Sequence, residues 1–257
     1  MGNPLISIVT PSLNQARFIE ETILSVLGQD YPQVEYVVVD GGSSDETIDI
    51  LRTYEDRLRW LSETDRGQAD AVNKGWRMCR GEIIAYLNAD DTYTPGALAA
   101  AAGVFAKHPG AVMVYGDCDN RFPDGSTTLN RPPARLTAEE LIDRGNRIFQ
   151  PASFYRRTIL ERVGFLDPGL QYWMDYDLSI KLLHAGPAVY LDRRLATFRV
   201  HPEQKSADRG RLYREARMIS RRHGGRFFSQ LFWEHHRRLH WMRFQGQRVR
   251  RLIWGHP

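Results

Sequence analysis

Short runs of branched apolar residues alternate with segments of helical periodicity through the first half of the chain. Runs such as ISIVT and EYVVVD are too short for helices and suit strands buried on both faces, whereas the segments between them space apolar residues three or four positions apart. Strands separated by helices in this way form a mostly parallel sheet with helices on both faces. The pattern predicts an α/β fold with five strands, at residues 5–10, 34–40, 58–63, 82–91 and 111–117.

Composition argues against a membrane-spanning chain and against a disulfide framework. The longest nearly apolar stretch, residues 97–106, is about half of the ~20 residues that a spanning helix requires. The first residues lack the charged and apolar regions of a signal peptide, so a cytoplasmic location is expected. The two cysteines, Cys79 and Cys118, have no metal-ligand spacing and are expected to be buried free thiols.

The net charge of +4 is unevenly distributed. Residues 209–257 contain 13 arginines against Glu215 and Glu234, which gives +11 and leaves −7 for residues 1–208. A net negative body argues against a nucleic-acid-binding domain. We therefore divide the chain into a domain at 1–208 and a basic, aromatic helical tail at 209–257. Such a tail can lie on an anionic membrane surface, at the inner face of the cell membrane, or pack on its own domain or a second subunit.

Acidic residues follow four of the five predicted strands. They are Asp40, Asp65, the pair Asp90 and Asp91, and Asp117. Ligands bind outside the carboxyl ends of strands in such sheets, so these acids are expected on one rim. Crowded carboxylates repel one another unless a cation or hydroxyl donors lie between them. A divalent cation and the hydroxyls of a ribose would satisfy both needs.

Glycine-rich phosphate loops are absent from the sequence. The turn after the first strand reads TPSLNQARF, without the G-x-G-x-x-G of dinucleotide-binding folds, and there is no G-x-x-x-x-G-K-[ST]. A diphosphate would then be held through a metal, and Asp90 with Asp91 is the predicted place for it.

Seven stretches in order carry a family resemblance between residues 4 and 206. They are ISIVTPSLNQARFIEETILSVLGQDYP, EYVVVDGGSSDETIDIL, SETDRGQADAVNKGWRMCRGEIIAYLNADD, VYGD, FQPASFYRR, YWMDYDLSIKLLHAG and FRVH. The chain resembles the family 2 inverting glycosyltransferases, which have the GT-A nucleotide-diphospho-sugar transferase fold. Within that family it looks most like the branch that extends lipid-linked O-antigen and capsule repeat units of the cell envelope.

The resemblance implies a nucleotide-sugar pocket in the first half of the domain, at about 1–117, with the acceptor side at about 118–208. By resemblance, Asp40 hydrogen-bonds the nucleotide base, while Thr10 and Pro11 line the base pocket and Asp65 and Gly67 belong to the same wall. Asp40 before two glycines can also be turn chemistry alone, since Asp and Gly dominate turns.

The family's D-x-D motif falls on Asn88, Ala89 and Asp90, with Asp91 directly after it. The resemblance implies that Asp90 contacts ribose or diphosphate and that Asp91 binds Mn²⁺ or Mg²⁺. Asn88 stands where the family has aspartate, which removes one anionic ligand. His201 matches a histidine that relatives place near the metal or diphosphate, and it can equally be a surface histidine.

Asp175 in WMDYDL matches the family's catalytic base, with Met174 where an acid commonly precedes it. Asp177 is expected to be a polar residue at a helix start. Gln150 and Pro151 are either plain loop or part of the acceptor side.

The resemblance implies transfer of a sugar from a nucleoside-diphosphate donor, expected to be a UDP-sugar, to a hydroxyl of a glycan or lipid-linked saccharide. Two other functions stay open at this point. One is a non-catalytic nucleotide-sugar binding module or partner subunit, because a fold does not guarantee a reaction. The other is a nucleotidyltransferase, which the missing glycine-rich, basic loop disfavours.

Overall fold

The computed structural model describes residues 2–205 and 209–226. In the first half of the chain, the first four helices alternate with strands, as the sequence pattern predicts. The described helices are α1 (Ile19–Leu27), α2 (Thr47–Thr53), α3 (Gln68–Met78), α4 (Ala97–Lys107), α5 (Ala138–Arg144), α6 (Arg157–Val163), α7 (Met174–Ala185) and α8 (Arg209–Arg222).

A single sheet of nine described strands runs through the domain. Its order is β3-β2-β1-β4-β8-β6-β9-β5, and β7 pairs with β6 outside this path. The strands are β1 (Ile6–Ser12), β2 (Val34–Asp40), β3 (Arg59–Ser62), β4 (Ile83–Tyr86), β5 (Thr92–Tyr93), β6 (Met113–Arg121), β7 (Thr127–Asn130), β8 (Ser153–Arg156) and β9 (Ala188–Arg199).

The first four strands in the sheet order are all parallel, as predicted. β1 pairs with β2 and β4, and β2 pairs with β3, each in parallel register. The second half of the chain then extends the sheet, because β8 lies antiparallel between β4 and β6. The α/β fold class is confirmed, and both halves of the domain share one continuous sheet.

The core lies on both faces of this sheet. Alternate side chains of β2 belong to opposite apolar clusters, with Val37 and Val39 on one face and Tyr36 and Val38 on the other. This alternation follows from the two-residue period of a strand. Both faces are therefore buried under helices, as the unbroken apolar runs indicate.

Helix α3 lies unusually close to the sheet at Gly75. A Cβ atom placed there would lie 2.5 Å from Cγ1 of Val9 and 3.2 Å from Cγ2 of Val39. Glycine at this position therefore sets the depth of α3 against β1 and β2, and α3 begins at the wall of the cavity described below.

Helix α8 packs on the body of the domain. Ala216 and Ile219 are buried in the same apolar cluster as α5 and α7, and the Ser220 hydroxyl donates a hydrogen bond to the Ile142 carbonyl at 2.7 Å. The start of the basic tail thus packs on its own domain. The aromatic stretch from Phe228 onward lies outside the described residues, so its membrane contact stays a prediction.

Two further expectations concern cysteines and membranes. Cys79 and Cys118 are buried free thiols, as predicted. Among the described helices, none combines the length and apolarity needed to cross a bilayer.

Candidate active site

A cavity of about 720 Å³ opens at the carboxyl ends of β1 and β4. One wall comes from loops that follow the parallel strands, and the other comes from residues 146–151, the entry into α7 and residues 201–205. This is the edge at which the topology of an open α/β sheet places ligands. Six of the sequence-predicted site residues line it: Pro11, Asp65, Gly67, Asp90, Asp175 and His201.

The loop after β3 forms part of the first wall. Oδ1 of Asp65 accepts a hydrogen bond from the Gly67 amide at 2.7 Å. Gly67 has a φ of 112°, a conformation that glycine adopts without strain. Asp65 also lies against Gly41, where a Cβ atom would be 2.7 Å from Oδ2 of Asp65. Glycines at 41 and 67 therefore allow the Asp65 carboxylate to pack directly against the backbone of this wall.

Thr10 and Asp40 do not line the cavity, and both are fully buried. The Thr10 hydroxyl is 3.0 Å from the Tyr36 hydroxyl. The Asp40 carboxylate holds the following turn. It accepts hydrogen bonds from the backbone amides of Gly42 and Ser43 and from the hydroxyls of Ser43 and Ser62. The turn role of Asp40 is thus observed, whereas its contact with a nucleotide base stays a prediction.

Asp90 and Asp91 have opposite environments. Asp90 faces the cavity with 21% of its side chain exposed, and Oδ2 lies 2.9 Å from Nε2 of His201. Asp91 is fully buried and accepts hydrogen bonds from the Arg199 amide at 3.0 Å and the Asn88 side-chain amide at 3.1 Å. Burial, followed by the neighbouring Asp90 charge, holds the pKa of Asp91 well above its usual range. The two adjacent acids are therefore not equivalent.

Asn88 joins three side chains under the cavity. Its Oδ1 accepts a hydrogen bond from Nε2 of Gln68 at 2.6 Å, and its Nδ2 lies 3.1 Å from Asp91 and 3.4 Å from Oε1 of Gln150. An aspartate at 88 could not donate to Asp91 and would add a third negative charge. The side-chain amide of Asn88 is therefore needed where the family has aspartate, because it donates to Asp91 without adding a charge. Gln150 belongs to the cavity wall.

The residues around Asp90 fit a divalent cation that arrives with a diphosphate. Within residues 2–205 and 209–226, no cluster of three or more acidic, histidine or cysteine side chains could hold a metal by itself. Mg²⁺ is commonly held by one or two carboxylates plus substrate phosphates. Asp90 and His201 offer such a partial set, and Nδ1 of His201 is buried without a hydrogen-bond partner among the described residues. Asp91, expected from the resemblance to bind the metal, does not line the cavity.

Asp175 lies in the first turn of α7 at the opposite wall. Its Oδ2 accepts a hydrogen bond from Nδ2 of Asn146 at 2.8 Å. Burial is the largest influence and raises the pKa of Asp175 to about 6, although the Tyr176 amide and Asn146 act in the opposite direction. A carboxylate with a pKa near neutrality can accept a proton efficiently at physiological pH.

Asp177, two residues further along α7, takes no part in the cavity. It is fully buried, 2.7 Å from Nζ of Lys181 and 2.8 Å from Nε2 of His223. Asp177 is near the start of α7, as the sequence pattern indicates, and it also joins this helix to the end of α8.

Several cavity residues have no counterpart in the sequence-based prediction. Asn146, Arg147, Lys205 and Leu212 line the cavity, and Glu215 contacts the segment before α7. The loop residues carry no local signal. Glu215 does carry one, because it is an isolated acid in an arginine-rich segment.

Comparison with known proteins identifies the family. The family model described as Glycosyl transferase family 2 matches residues 7–164. The chain belongs to this family. A "PGL/p-HBAD biosynthesis glycosyltransferase" of Mycobacterium bovis is 32% identical over 186 residues, covering 70% of each chain. An "Uncharacterized glycosyltransferase" of Nostoc is 29% identical over 208 residues, covering 76% of this chain. This family 2 member spans only 65% of the Nostoc protein.

Solved structures share the fold at low sequence identity. Residues 1–349 of S. aureus TarS, in complex with UDP-GlcNAc, superimpose with a TM-score of 0.68 at 19% identity, covering 84% of this chain and 65% of that fragment. The mannosyltransferase PcManGT of Pyrobaculum calidifontis, in complex with GDP-Man and Mn²⁺, gives 0.66 at 21% identity, covering 88% and 66%. The GT-A glycosyltransferase fold that the motifs indicate is thereby confirmed.

Proposed function

We propose that this protein is an inverting glycosyltransferase that moves a sugar from a nucleoside-diphosphate donor to an acceptor hydroxyl. The observation that carries the proposal is the cavity itself. Asp90 on its first wall lies beside His201 from the opposite side, a pair suited to a metal-bound diphosphate, and its second wall holds Asp175 with a pKa of about 6. A donor site and a proton acceptor thus face the same space.

In the proposed reaction, the Asp175 carboxylate takes the proton from the acceptor hydroxyl as that oxygen attacks the anomeric carbon. The attack comes from the face opposite the diphosphate, so the bond to the diphosphate breaks and the configuration inverts. Asn146 holds the carboxylate in place through its hydrogen bond. Because only the deprotonated form can act as a base, we expect turnover to fall as the pH drops below about 6.

Asp90 and His201 would hold Mn²⁺ or Mg²⁺ together with the diphosphate oxygens. A bound cation of this kind supplies Lewis-acid stabilisation to the departing diphosphate. The geometry favours Asp90 over Asp91 as the carboxylate ligand, because Asp91 is buried and already accepts two hydrogen bonds.

For the donor we propose a UDP-sugar, and for the acceptor a glycan or a lipid-linked saccharide, in the synthesis of cell-envelope polysaccharide. TarS, which shares the fold, is described in complex with UDP-GlcNAc, whereas PcManGT is described with GDP-Man. The preference for UDP therefore rests on the family resemblance and is directly testable.

The test is a thermal-shift titration with UDP, dTDP, GDP and CDP, each with and without Mn²⁺. A nucleotide at 100 times its dissociation constant stabilises the folded protein by ~2.7 kcal/mol. We expect a manganese-dependent rise that is largest with UDP. A larger rise with GDP would change the donor, and no rise with any nucleotide would contradict the proposed function.

A further inference from the structure

Three consecutive backbone amides before α7 converge on one carboxylate. The amides of Gln171, Tyr172 and Trp173 donate to the Glu215 carboxylate at 3.0, 2.8 and 2.7 Å. α7 begins at Met174, and its N-cap residue Trp173 makes no capping bond with its own side chain. The N-terminus of this helix is therefore capped by a residue more than 40 positions away in the sequence.

The helix that carries Glu215 is fixed to the same segment by a second contact. Nε1 of Trp173 donates a hydrogen bond to the Leu212 carbonyl at 2.9 Å, and Leu212 itself lines the cavity. Burial of Ile219 one turn beyond Glu215 anchors α8 on the domain. α8 lies beyond residues 7–164, so the family match does not account for this contact.

We propose that Glu215 is a positioning residue of the proposed transferase, whose carboxylate fixes residues 171–173 and thereby holds the first turn of α7, with Asp175, at the cavity wall. This inference rests on the proposed function for the meaning of Asp175, but the contact itself is a property of the fold. A carboxylate at a helix N-terminus is also favoured by the helix dipole, so the cap and α7 stabilise each other.

The charge of Glu215 also reaches Asp175. After burial, which is the largest influence, Glu215 is the negative group that raises the pKa of Asp175. Asn146 and the Tyr176 amide favour the charged form of Asp175, while the phenols of Tyr86 and Tyr155 lie near it from β4 and β8. Replacing Glu215 by glutamine therefore separates the two effects, since glutamine keeps an acceptor oxygen and removes the charge.

The experiment follows the Asp175 side-chain carboxyl by carbon-13 NMR from pH 4.5 to 8 in the full chain, with Asp175→Asn to assign the signal. Amide hydrogen exchange at Tyr172 and Trp173 is measured in parallel. The variants are Glu215→Gln, Glu215→Ala and Arg222→Gln. Arg222 is the matched control, because it lies on α8 and pairs with Asp167 and Asp177 instead of residues 171–173.

We expect Glu215→Gln to move the Asp175 titration to lower pH, because a nearby like charge is gone. In Glu215→Ala, exchange at Tyr172 and Trp173 should be at least about tenfold faster, since hydrogen bonds to a charged acceptor are lost. Arg222→Gln should change neither the titration nor these two amides.

An unchanged Asp175 titration in both Glu215→Gln and Glu215→Ala overturns the proposal, because the environment of Asp175 would then not depend on Glu215. If Glu215→Ala does not fold, the glutamine variant still decides. The nucleotide titration described above is independent of this result. If the protein binds no nucleotide but Glu215→Gln shifts the Asp175 titration, the proposed function is wrong and the proposed role of Glu215 in positioning Asp175 stands.

Discussion

The two walls of the cavity are built by different kinds of contact. Following the proposed function, we call the wall of strand-end loops the nucleotide wall and the opposite wall the acceptor wall. On the nucleotide wall, the loop acid Asp65 takes its donor from Gly67, two residues away, whereas Asp90 and Asp91 contact residues 199–201. On the acceptor wall, Asp175 takes its donor from Asn146, 29 residues away, and its helix is capped from α8. A local sequence motif can therefore specify the loop that holds Asp65, whereas the acceptor wall depends on tertiary packing throughout.

The largest expected effect is on turnover, and it tests whether the proposed base and the proposed nucleotide site act separately. We expect Asp175→Asn to reduce turnover about 1,000-fold, because a positioned base contributes on that order to proton transfer. Nucleotide-dependent stabilisation should remain at the wild-type level. Both are measured on one preparation, as release of nucleoside diphosphate from the donor and as thermal shift. Loss of nucleotide binding together with turnover would show that the walls do not act separately.

The next effect distinguishes two neighbouring acids on the nucleotide wall. Asp90→Asn and His201→Ala should each weaken the manganese-dependent part of nucleotide binding at least about tenfold. Loss of a residue that merely supports a metal ligand already costs that much in metal affinity. Asp91→Asn should leave that part intact, because Asp91 does not line the cavity. Titrations with UDP and with UDP plus Mn²⁺ give the comparison. If Asp91→Asn weakens this binding and Asp90→Asn does not, Asp91 is the metal ligand instead.

A third change tests how tightly the nucleotide wall is packed. Gly75→Ala should lower the free energy of unfolding by about 1–3 kcal/mol, because the added methyl group collides with Val9. Gly103→Ala is the matched control in α4, where an added Cβ meets nothing within 4 Å. That control should be neutral or stabilising by up to about 1 kcal/mol. Denaturant unfolding measures both, and equal values would refute the close contact.

The smallest effect is a pH-dependent gain in stability on the acceptor wall. The pKa of Asp175 is about 6 in the folded protein against an ordinary value of 3.8. The folded state therefore binds more protons than the unfolded state between these values, and stability falls as the pH rises through this window. Asp175→Asn should thus be more stable than wild type at pH 7, on the order of 1 kcal/mol, and no longer so near pH 4.

Melting temperatures of Asp175→Asn and wild type across this pH range check the prediction. Asp167→Asn provides an acidic control from outside the cavity lining. A gain in Asp175→Asn that persists unchanged at pH 4 would mean that the stability difference has another source.

The sequence predicts the parallel strands beneath the nucleotide wall because periodicity and strand ends are local properties. β1 to β3 appear where the apolar runs place them, β4 begins as predicted but ends at Tyr86 instead of residue 91, and β6 follows the fifth run but continues to Arg121. Which way an acid points is not a local property. Asp91 is buried because the Arg199 amide, 108 residues away, provides a donor for it. No pattern near Asp91 contains that information.

The acceptor wall escapes prediction for a related reason. β5 has only two residues, and β8, which reads SFYR, has no continuous run of branched apolar residues, so neither is recognised from the sequence pattern. Asp175 is found through a family motif, but Asn146 and Glu215 contact its helix from distant segments. Glu215 appears in the sequence only as a charge within a basic segment, and its role depends on how α8 packs.

The antiparallel strand β8 has a mechanical consequence. Because it pairs with β4 on one side and β6 on the other, the first and second halves of the domain are joined through their backbones across the middle of the sheet. Opening the cleft by swinging one half away from the other would break these ladders. In the proposed reaction, the donor would therefore enter and the products would leave through the cavity mouth, with the two halves of the sheet fixed relative to each other.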